Sequence, residues 1–392
     1  MESSPSKIFW TTMRIADNNE PIPKKLRRLL LTAGFGELDL ERKFVAIKMH
    51  FGEGGNLAYL RPNYAKVLVD LVKEAGGRPF LTDCNTLYPG RRKNALEHLD
   101  LAYEHGFSPF STGCQILIGD GLSGSDEALV PVVGGEYIKE AKIGRAVMDA
   151  DVFISLNHFK GHIETGFGGA LKNIGMGCGS RAGKMEMHSA THPKVKEDVC
   201  IGCRKCARFC GSDAISYPRR KAQIDPQTCV GCGHCIAACP VDAIYSAFDE
   251  ENEIVGAKIA EYAKAVLDGR PHFHVNLVID VSPLCDCFGA SDLPIVPNVG
   301  MFASSDPVAL DAACVAAVNA QRPNEGSLLA ERLRERREHV SDNATDAADS
   351  DRSGDEPNDH FKVVNEHSNW IAQLTHAKKI GLGNTDYELI EV

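Results

Sequence analysis

The sequence predicts an α/β protein: a mostly parallel sheet with helices on both faces, interrupted by a small cysteine-rich insert. Three observations carry this expectation. From Lys7 to about His192, short runs rich in Val, Ile, Leu and Phe alternate with amphipathic stretches. Such alternation implies parallel strands covered on both faces. The pattern breaks near residue 193 and resumes after 250, and eight of the fourteen cysteines, Cys200 to Cys239, fall inside that break.

The elements follow in order. "FVAIKMHF" (44–51), "RPFLTDC" (78–84), "QILIGD" (115–120) and "DVFISLNHF" (151–159) read as strands. Residues 61–77 place Tyr64, Val67, Leu68, Leu71 and Val72 on one helical face and stop at Gly76, and 92–107 stop at a glycine in the same way. After the break, 252–271 reads as a helix, "HVNLVIDV" (274–281) as a buried strand, and 306–320 and 327–339 as helices. The C-terminus reads as a helix, a glycine turn and a last strand. This divides the chain into an α/β domain in three pieces (1–194, 248–330 and 361–392), an insert at 195–247, and a helix with an acidic disordered linker at 331–360.

Length and composition narrow the class. With 392 residues, 43% hydrophobic and 24% charged, the chain is of ordinary globular composition. No apolar run approaches the roughly 20 residues that span a bilayer, and the N-terminus lacks a secretory layout. The expectation is a cytoplasmic protein with no membrane association. The net charge of −10 makes nucleic acid a poor partner. Residues 341–360 alone hold seven acids against Arg352, so most of that excess is local.

The cysteines are spaced as metal ligands. Residues 199–216 and 228–245 repeat at a 29-residue offset, each reading Cys-x2-Cys-x2-Cys-x3-Cys. Three close thiolates wrap one face of an iron–sulfur cube, and the fourth ligates the other cluster. On that pattern one [4Fe–4S] cluster takes Cys200, Cys203, Cys206 and Cys239, and a second takes Cys229, Cys232, Cys235 and Cys210. Structural zinc would bring two separated pairs to a tetrahedron, which eight cysteines in doubled spacing overfill. The segment resembles bacterial-type ferredoxins, although Pro240 follows Cys239 while Gly211 follows Cys210. Arg204, Lys205 and Arg208 among the ligands form a basic collar suited to an acidic redox partner such as a ferredoxin or flavodoxin.

Ligands of open parallel sheets bind beyond the carboxyl ends of the strands. The proposed strands end in His50, Asp83, Asp120, Asn157 with His158, and Asp280, which predicts a polar crevice there. Residues 157–192 add a glycine-rich stretch with several cations. It matches neither a Walker loop nor a dinucleotide fingerprint. Gly166, Gly168, Gly169, Lys172, Arg181 and Lys184 form an expected cradle for an anionic small molecule. His50, His158 and His162 are candidate proton donors, with Lys172 and Cys178 as further catalytic candidates. Cys178 lies between glycines near Arg181 and Lys184, which would favour a reactive thiolate. A second metal on the His158/His162 or His188/His192 pairs is a minor alternative. Cys285, Cys287, Cys84, Cys114 and Cys314 read as small buried residues.

"GFGGALKNIGMGCGSRAGKMEMH", the double cysteine motif and "NVGMFASSDPVALDAA" together resemble the family labelled domain of unknown function 362, described as uncharacterised Fe–S centre proteins. The resemblance covers nearly all of the chain except 328–360. It implies an α/β domain interrupted by a two-cluster ferredoxin insert, and supplies no reaction. Three functions follow as expectations: a ferredoxin-linked redox enzyme or reductive activator, a ferredoxin-like electron carrier, or a cofactor- or metal-handling accessory protein.

Overall fold

Eight short strands assemble into one sheet: β1 (Ser6–Thr12), β2 (Phe44–Lys48), β3 (Arg78–Asp83), β4 (Gln115–Ile118), β5 (Val152–His158), β6 (His272–Val278), β7 (Gly300–Ser304) and β8 (Tyr387–Glu391). Their order is β8-β1-β7-β6-β5-β2-β3-β4. The computed structural model describes residues 4–15, 19–342 and 359–392. Five neighbouring pairs run parallel, and β7 runs antiparallel to both β1 and β6. The α/β class and the mostly parallel sheet are therefore as the sequence predicts. The antiparallel strand has a simple cause. Between β6 and β7 the chain forms no helix, so it turns back beside β6 instead of crossing over the sheet.

Both faces of the central strands are buried, which is why those strands are rich in apolar residues. Val45 and Ile47 of β2, Ile154 and Leu156 of β5, and Val275 and Leu277 of β6 pack under helices α1 (Ile22–Thr32) and α2 (Pro62–Glu74). The alternate residues face a second layer of α3 (Ala170–Cys178), α4 (Arg181–His188), α5 (Asn252–Leu267), α6 (Pro307–Asn319) and α7 (Trp370–Lys379). Burying each Leu, Ile or Val in these layers contributes about 1.5–3 kcal/mol. The second face also carries a buried polar row. Asn157 donates to Ser155 Oγ (3.0 Å), and Asn276 donates to Asp311 Oδ1 (2.8 Å).

Strands β1–β5 precede the cysteine-rich segment and β6–β8 follow it. Within that segment Lys194–Val195 pairs with Ile244–Tyr245, and Ile215–Ser216 with Gln223–Ile224. The acidic stretch 341–360 lies mostly outside the described residues. Its last two residues belong to the fold, which corrects the linker boundary. Asp359 caps the helix His360–Val364 through the Lys362 N–H (3.0 Å) and accepts from Trp370 Nε1 (2.8 Å). Replacing Asp359 by alanine is expected to cost about 1–2 kcal/mol in denaturant unfolding, through the lost cap and the stranded indole N–H.

Candidate functional site

A cavity of about 540 Å³ opens at the carboxyl ends of the parallel strands. From the end of β2 and the segment after it come Lys48, His50 and Glu53; from the end of β3 and the segment after it, Asp83, Leu87, Tyr88 and Arg92. The segment after β5 supplies Lys160, His162 and Glu164, and α3 and α4 add Lys172, Asn173 and Lys184. The β6–β7 loop closes one side with Cys285, Cys287 and Phe288.

Close backbone packing sets these positions. Lys160–His162 pairs with Gly166–Gly168 as a tight hairpin. Gly161 donates to Ser282 O (2.8 Å), and a Cβ on it would meet Pro283 O at 2.2 Å. Only glycine lets the hairpin lie on the β6–β7 loop, and that contact brings His162 beside Cys285 and Cys287. Gly177 of α3 makes the same allowance for Lys48, since a Cβ there would meet Lys48 Nζ at 2.5 Å.

The cavity is cationic. Lys48, Arg92, Lys160, Lys172 and Lys184 face Glu53, Asp83 and Glu164. Lys48 is held by Asp83 (2.9 Å) and Asn173 Oδ1 (2.6 Å), and Arg92 by Glu53 (3.0 Å). Lys172 lies 3.8 Å from Cys285 Sγ. Burial opposes its charge, but the two neighbouring cysteines outweigh that and raise its pKa. Burial together with Arg92 and Lys160 lowers the pKa of His50 well below the ordinary value. Its Nδ1 accepts from the Gly52 N–H (2.9 Å), so the neutral ring carries its proton on Nε2. His162 is likewise kept neutral, by burial and Lys172. Cys285 is driven well below the usual thiol range by the Cys287 S–H and, against burial, by Lys172 and Lys160; Cys287 is driven up correspondingly.

Several sequence expectations need correction. His158 does not line the cavity: its Nδ1 meets Asp286 (2.9 Å) and its Nε2 meets Ile279 O (2.8 Å), so both nitrogens are spent on the fold. Cys178 is fully buried, and burial pushes its thiol up to about 11, the opposite of activation. The six-residue anion cradle does not form as a unit. Lys172 and Lys184 reach the cavity, but Arg181 turns away to the carbonyls of Lys93 and Ser123. Gly166 packs on Trp370 and Gly169 on Asp311. The α3 N-terminus that Gly169 precedes is already taken, because Ala170 and Leu171 donate to the Asp311 carboxylate (2.7 and 2.9 Å). Of the polar strand ends, His50 and Asp83 line the cavity; Asp120 lies behind it, accepting from Asn85 Nδ2 (2.8 Å). Cys285 is buried as expected and Cys287 half-buried, but both also line the cavity, and the Cys-x-Cys spacing is the signal in the sequence for that.

The eight module cysteines gather in two sets. Cys200, Cys203, Cys206 and Cys239 line one small void, and Cys210, Cys229, Cys232 and Cys235 line another. Backbone N–H groups point at the sulfurs: Ala222 to Cys200 (3.4 Å), Ala214 to Cys210 (3.3 Å) and Ala243 to Cys239 (3.2 Å). The second set adjoins the cavity. Gly233, between Cys232 and Cys235, lies so close to Leu87 that a Cβ on it would meet Leu87 Cδ1 at 3.3 Å. Leu87 and Met185 share an apolar cluster with Cys200, Cys206, Cys235 and Cys239, and Leu87 also lines the cavity.

Beneath the cavity floor, on the helix Ala95–Glu104, His98 is buried, and neither ring nitrogen has a hydrogen-bond partner among the described residues. Burial lowers its pKa to about 3. The folded value lies below the ordinary one of about 6.5, so unfolding takes up a proton between these values. Stability is therefore full above pH 6.5 and falls by up to about 1.4 kcal/mol per pH unit below it. In urea unfolding at pH 7.5 and 5.0, wild type is expected to lose about 2 kcal/mol that a His98→Leu variant keeps. Equal losses in the two proteins would overturn this.

The sequence profile of the family described as domain of unknown function (DUF362) matches residues 45–316. The chain belongs to that family. No curated protein matches it significantly. Among solved structures, this DUF362 chain is similar to the lactate racemase apoprotein from Thermoanaerobacterium thermosaccharolyticum, with 12% identity, a TM-score of 0.33, and coverage of 70% of this chain and 51% of that one. It is also similar to a Thermotoga maritima protein, with 15% identity, a TM-score of 0.32, and coverage of 65% and 50%. The chain thus spans about half the length of each. Among the described residues no helix is long and apolar enough to cross a membrane.

Proposed function

We propose that the protein is an iron–sulfur redox protein that acts on an anionic small molecule held in the cationic cavity. The observation that carries this is Leu87, which touches the Cys232–Cys235 loop and lines the cavity at once. The two four-cysteine sets suit [4Fe–4S] clusters, since each surrounds a void and receives N–H groups at its sulfurs. When bound, such clusters supply one-electron transfer.

The chain's own residues account for the rest. Lys172 and Lys184 hold an anionic group, Arg92 and Lys160 add to the positive field, and His50 presents an Nε2–H as hydrogen-bond donor. Electrons enter at the exposed face of the first set. There Cys203 is exposed, as are Ile201 and Arg204 beside it and Lys205 and Arg208 further along the same segment. These exposed cations suit an acidic ferredoxin or flavodoxin, with an on-rate that falls as salt rises. A pure electron carrier would need that face but not the cavity.

Anaerobic purification tests the reading. About eight irons and eight sulfides per chain are expected, with an organic anion seen by native mass spectrometry and lost in Lys172→Gln. Zinc without sulfide would sink the iron–sulfur assignment. An identical small-molecule profile in Lys172→Gln would sink the cavity assignment.

A further inference from the structure

The cavity holds a pair of thiols outside the eight module cysteines. Cys285 and Cys287 sit two positions apart on the β6–β7 loop, both line the cavity, and their Sγ atoms lie within 4.8 Å of each other. We propose that the two form a redox pair that reduces an anionic small-molecule disulfide held in the cavity and becomes a disulfide itself. This rests on reading the cavity as the substrate site, and names the class of substrate it takes.

Backbone geometry is the first argument. Residues at i and i+2 of an extended chain stand about 7 Å apart, the limit of what a disulfide spans. Here the Phe288 N–H donates to Cys285 O (3.0 Å) and closes a β-turn over 285–288. A turn draws its first and third Cα atoms together, toward the usual disulfide range. The turn is also held in place: the Asp286 carboxylate meets His158 Nδ1 (2.9 Å), and the Asp286 carbonyl accepts from the Glu53 N–H (2.9 Å). The sulfurs can then join or part with little movement of the chain.

The surroundings suit thiol chemistry rather than metal binding. A ring nitrogen of His162 lies within 4.8 Å of both sulfurs. Its Nδ1, however, accepts from the Glu164 and Thr165 N–H groups (both 3.2 Å). The neutral ring therefore carries its proton on Nε2 and is a donor there, which favours a thiolate as neighbour. Lys172 Nζ lies 3.8 Å from Cys285 Sγ, and with Lys160 and the Cys287 S–H it keeps Cys285 ionised. One sulfur is thus the thiolate that attacks and the other the thiol that resolves. The ring of Lys48, Arg92, Lys160, Lys172 and Lys184 favours a disulfide that carries carboxylates over a neutral one.

The steps balance. The Cys285 thiolate attacks one sulfur of the substrate; a mixed disulfide forms, the substrate S–S bond breaks, and one substrate thiolate leaves. Cys287 Sγ then attacks Cys285 Sγ, and its proton passes to the second departing sulfur. The products are the Cys285–Cys287 disulfide, one substrate thiol and one substrate thiolate. Two electrons and one proton restore the Cys285 thiolate and the Cys287 thiol, and the electrons are of the kind that the cysteine module, read as above, would deliver one at a time.

The test uses the holoprotein, prepared anaerobically and reduced, then mixed with glutathione disulfide as the anionic probe or hydroxyethyl disulfide as the neutral one. Samples are quenched in acid, alkylated and mapped by mass spectrometry, with iron and sulfide measured alongside. Wild type is expected to form the Cys285–Cys287 disulfide, about tenfold faster with the anionic probe, while Cys114 and Cys314 stay thiols. Cys287→Ser should stop instead at one glutathione on Cys285, and Cys285→Ser should react at Cys287 at least about tenfold more slowly. Both variants should keep the iron, sulfide and urea midpoint of wild type, which separates lost chemistry from misfolding. Absence of the disulfide in wild type, or equal glutathione on Cys285 and Cys114, would overturn the pair. Equal rates with the two probes would overturn the substrate class. Failure of the iron–sulfur reading shows separately, as missing sulfide, while the trapped Cys287→Ser adduct still decides this proposal.

Discussion

A Cys206→Ala, Cys239→Ala double variant is expected to retain about four of about eight irons, no fewer than either single variant. The reason is the pairing of the two voids. Cys239 lies 33 positions beyond Cys206 in the sequence, yet both line the same void with Cys200 and Cys203. Each single variant already empties that set, so the second change has nothing left to remove. Pairing Cys210 with Cys235 should give the same result for the other set, because both line the second void. The mixed double variant, Cys206→Ala with Cys235→Ala, is expected to lose nearly all its iron. If each set instead took four consecutive cysteines, Cys206 and Cys239 would belong to different clusters, and their double variant would lose nearly all its iron, as the mixed one does in either arrangement. Iron and sulfide assays on three proteins separate the two arrangements.

That pairing was legible in the sequence because the repeat is local and its spacing leaves little freedom. The sheet was legible for a related reason. Strands buried on both faces are rich in apolar residues, and β2, β3, β5 and β6 are, although β5 and β6 also bury Ser155, Asn157, His274 and Asn276. The reversed strand β7 was not, because "GMFAS" carries no mark of direction. Direction follows from the absence of a crossover helix, which shows only once the 279–299 loop is seen to form none. The cavity was half legible. Its position at the strand ends follows from the parallel sheet, and His50, His162, Lys172 and Lys184 line it as expected. Lys48, Glu53, Tyr88 and Arg92 were missed because single polar residues at a strand end or in loops have no sequence pattern. Cys285 and Cys287 were missed because burial explains a cysteine equally well. Their partner His162 lies more than 120 positions away, and the Gly161 contact that joins them is a matter of packing.

Asp311→Ala is expected to cost about 3–5 kcal/mol in denaturant unfolding at pH 7.5, the largest stability effect of any polar substitution considered for this chain. Burial lifts this carboxyl to about 6, so at pH 7.5 the acceptor is the carboxylate. It receives Ala170 N–H at 2.7 Å, Leu171 N–H at 2.9 Å and Asn276 Nδ2 at 2.8 Å, all buried, and alanine would strand all three donors. The exposed cap Asn94, which accepts from the Glu97 N–H (3.0 Å), is the control. Asn94→Ala should cost only about 1 kcal/mol, because water replaces the lost acceptor. A comparable loss in the two variants would mean that the Asp311 contacts are not specially dear. The consequence for function runs through α3, whose first turn is held by Asp311 and whose next residues are Lys172 and Asn173. Asn173 fixes Lys48 at 2.6 Å, so loosening the helix start shifts two of the cations that give the cavity its charge. Asp311 also occupies the helix start that follows the glycine-rich stretch: the protein supplies its own carboxylate there, and the anion proposed for the cavity would be met by side chains instead.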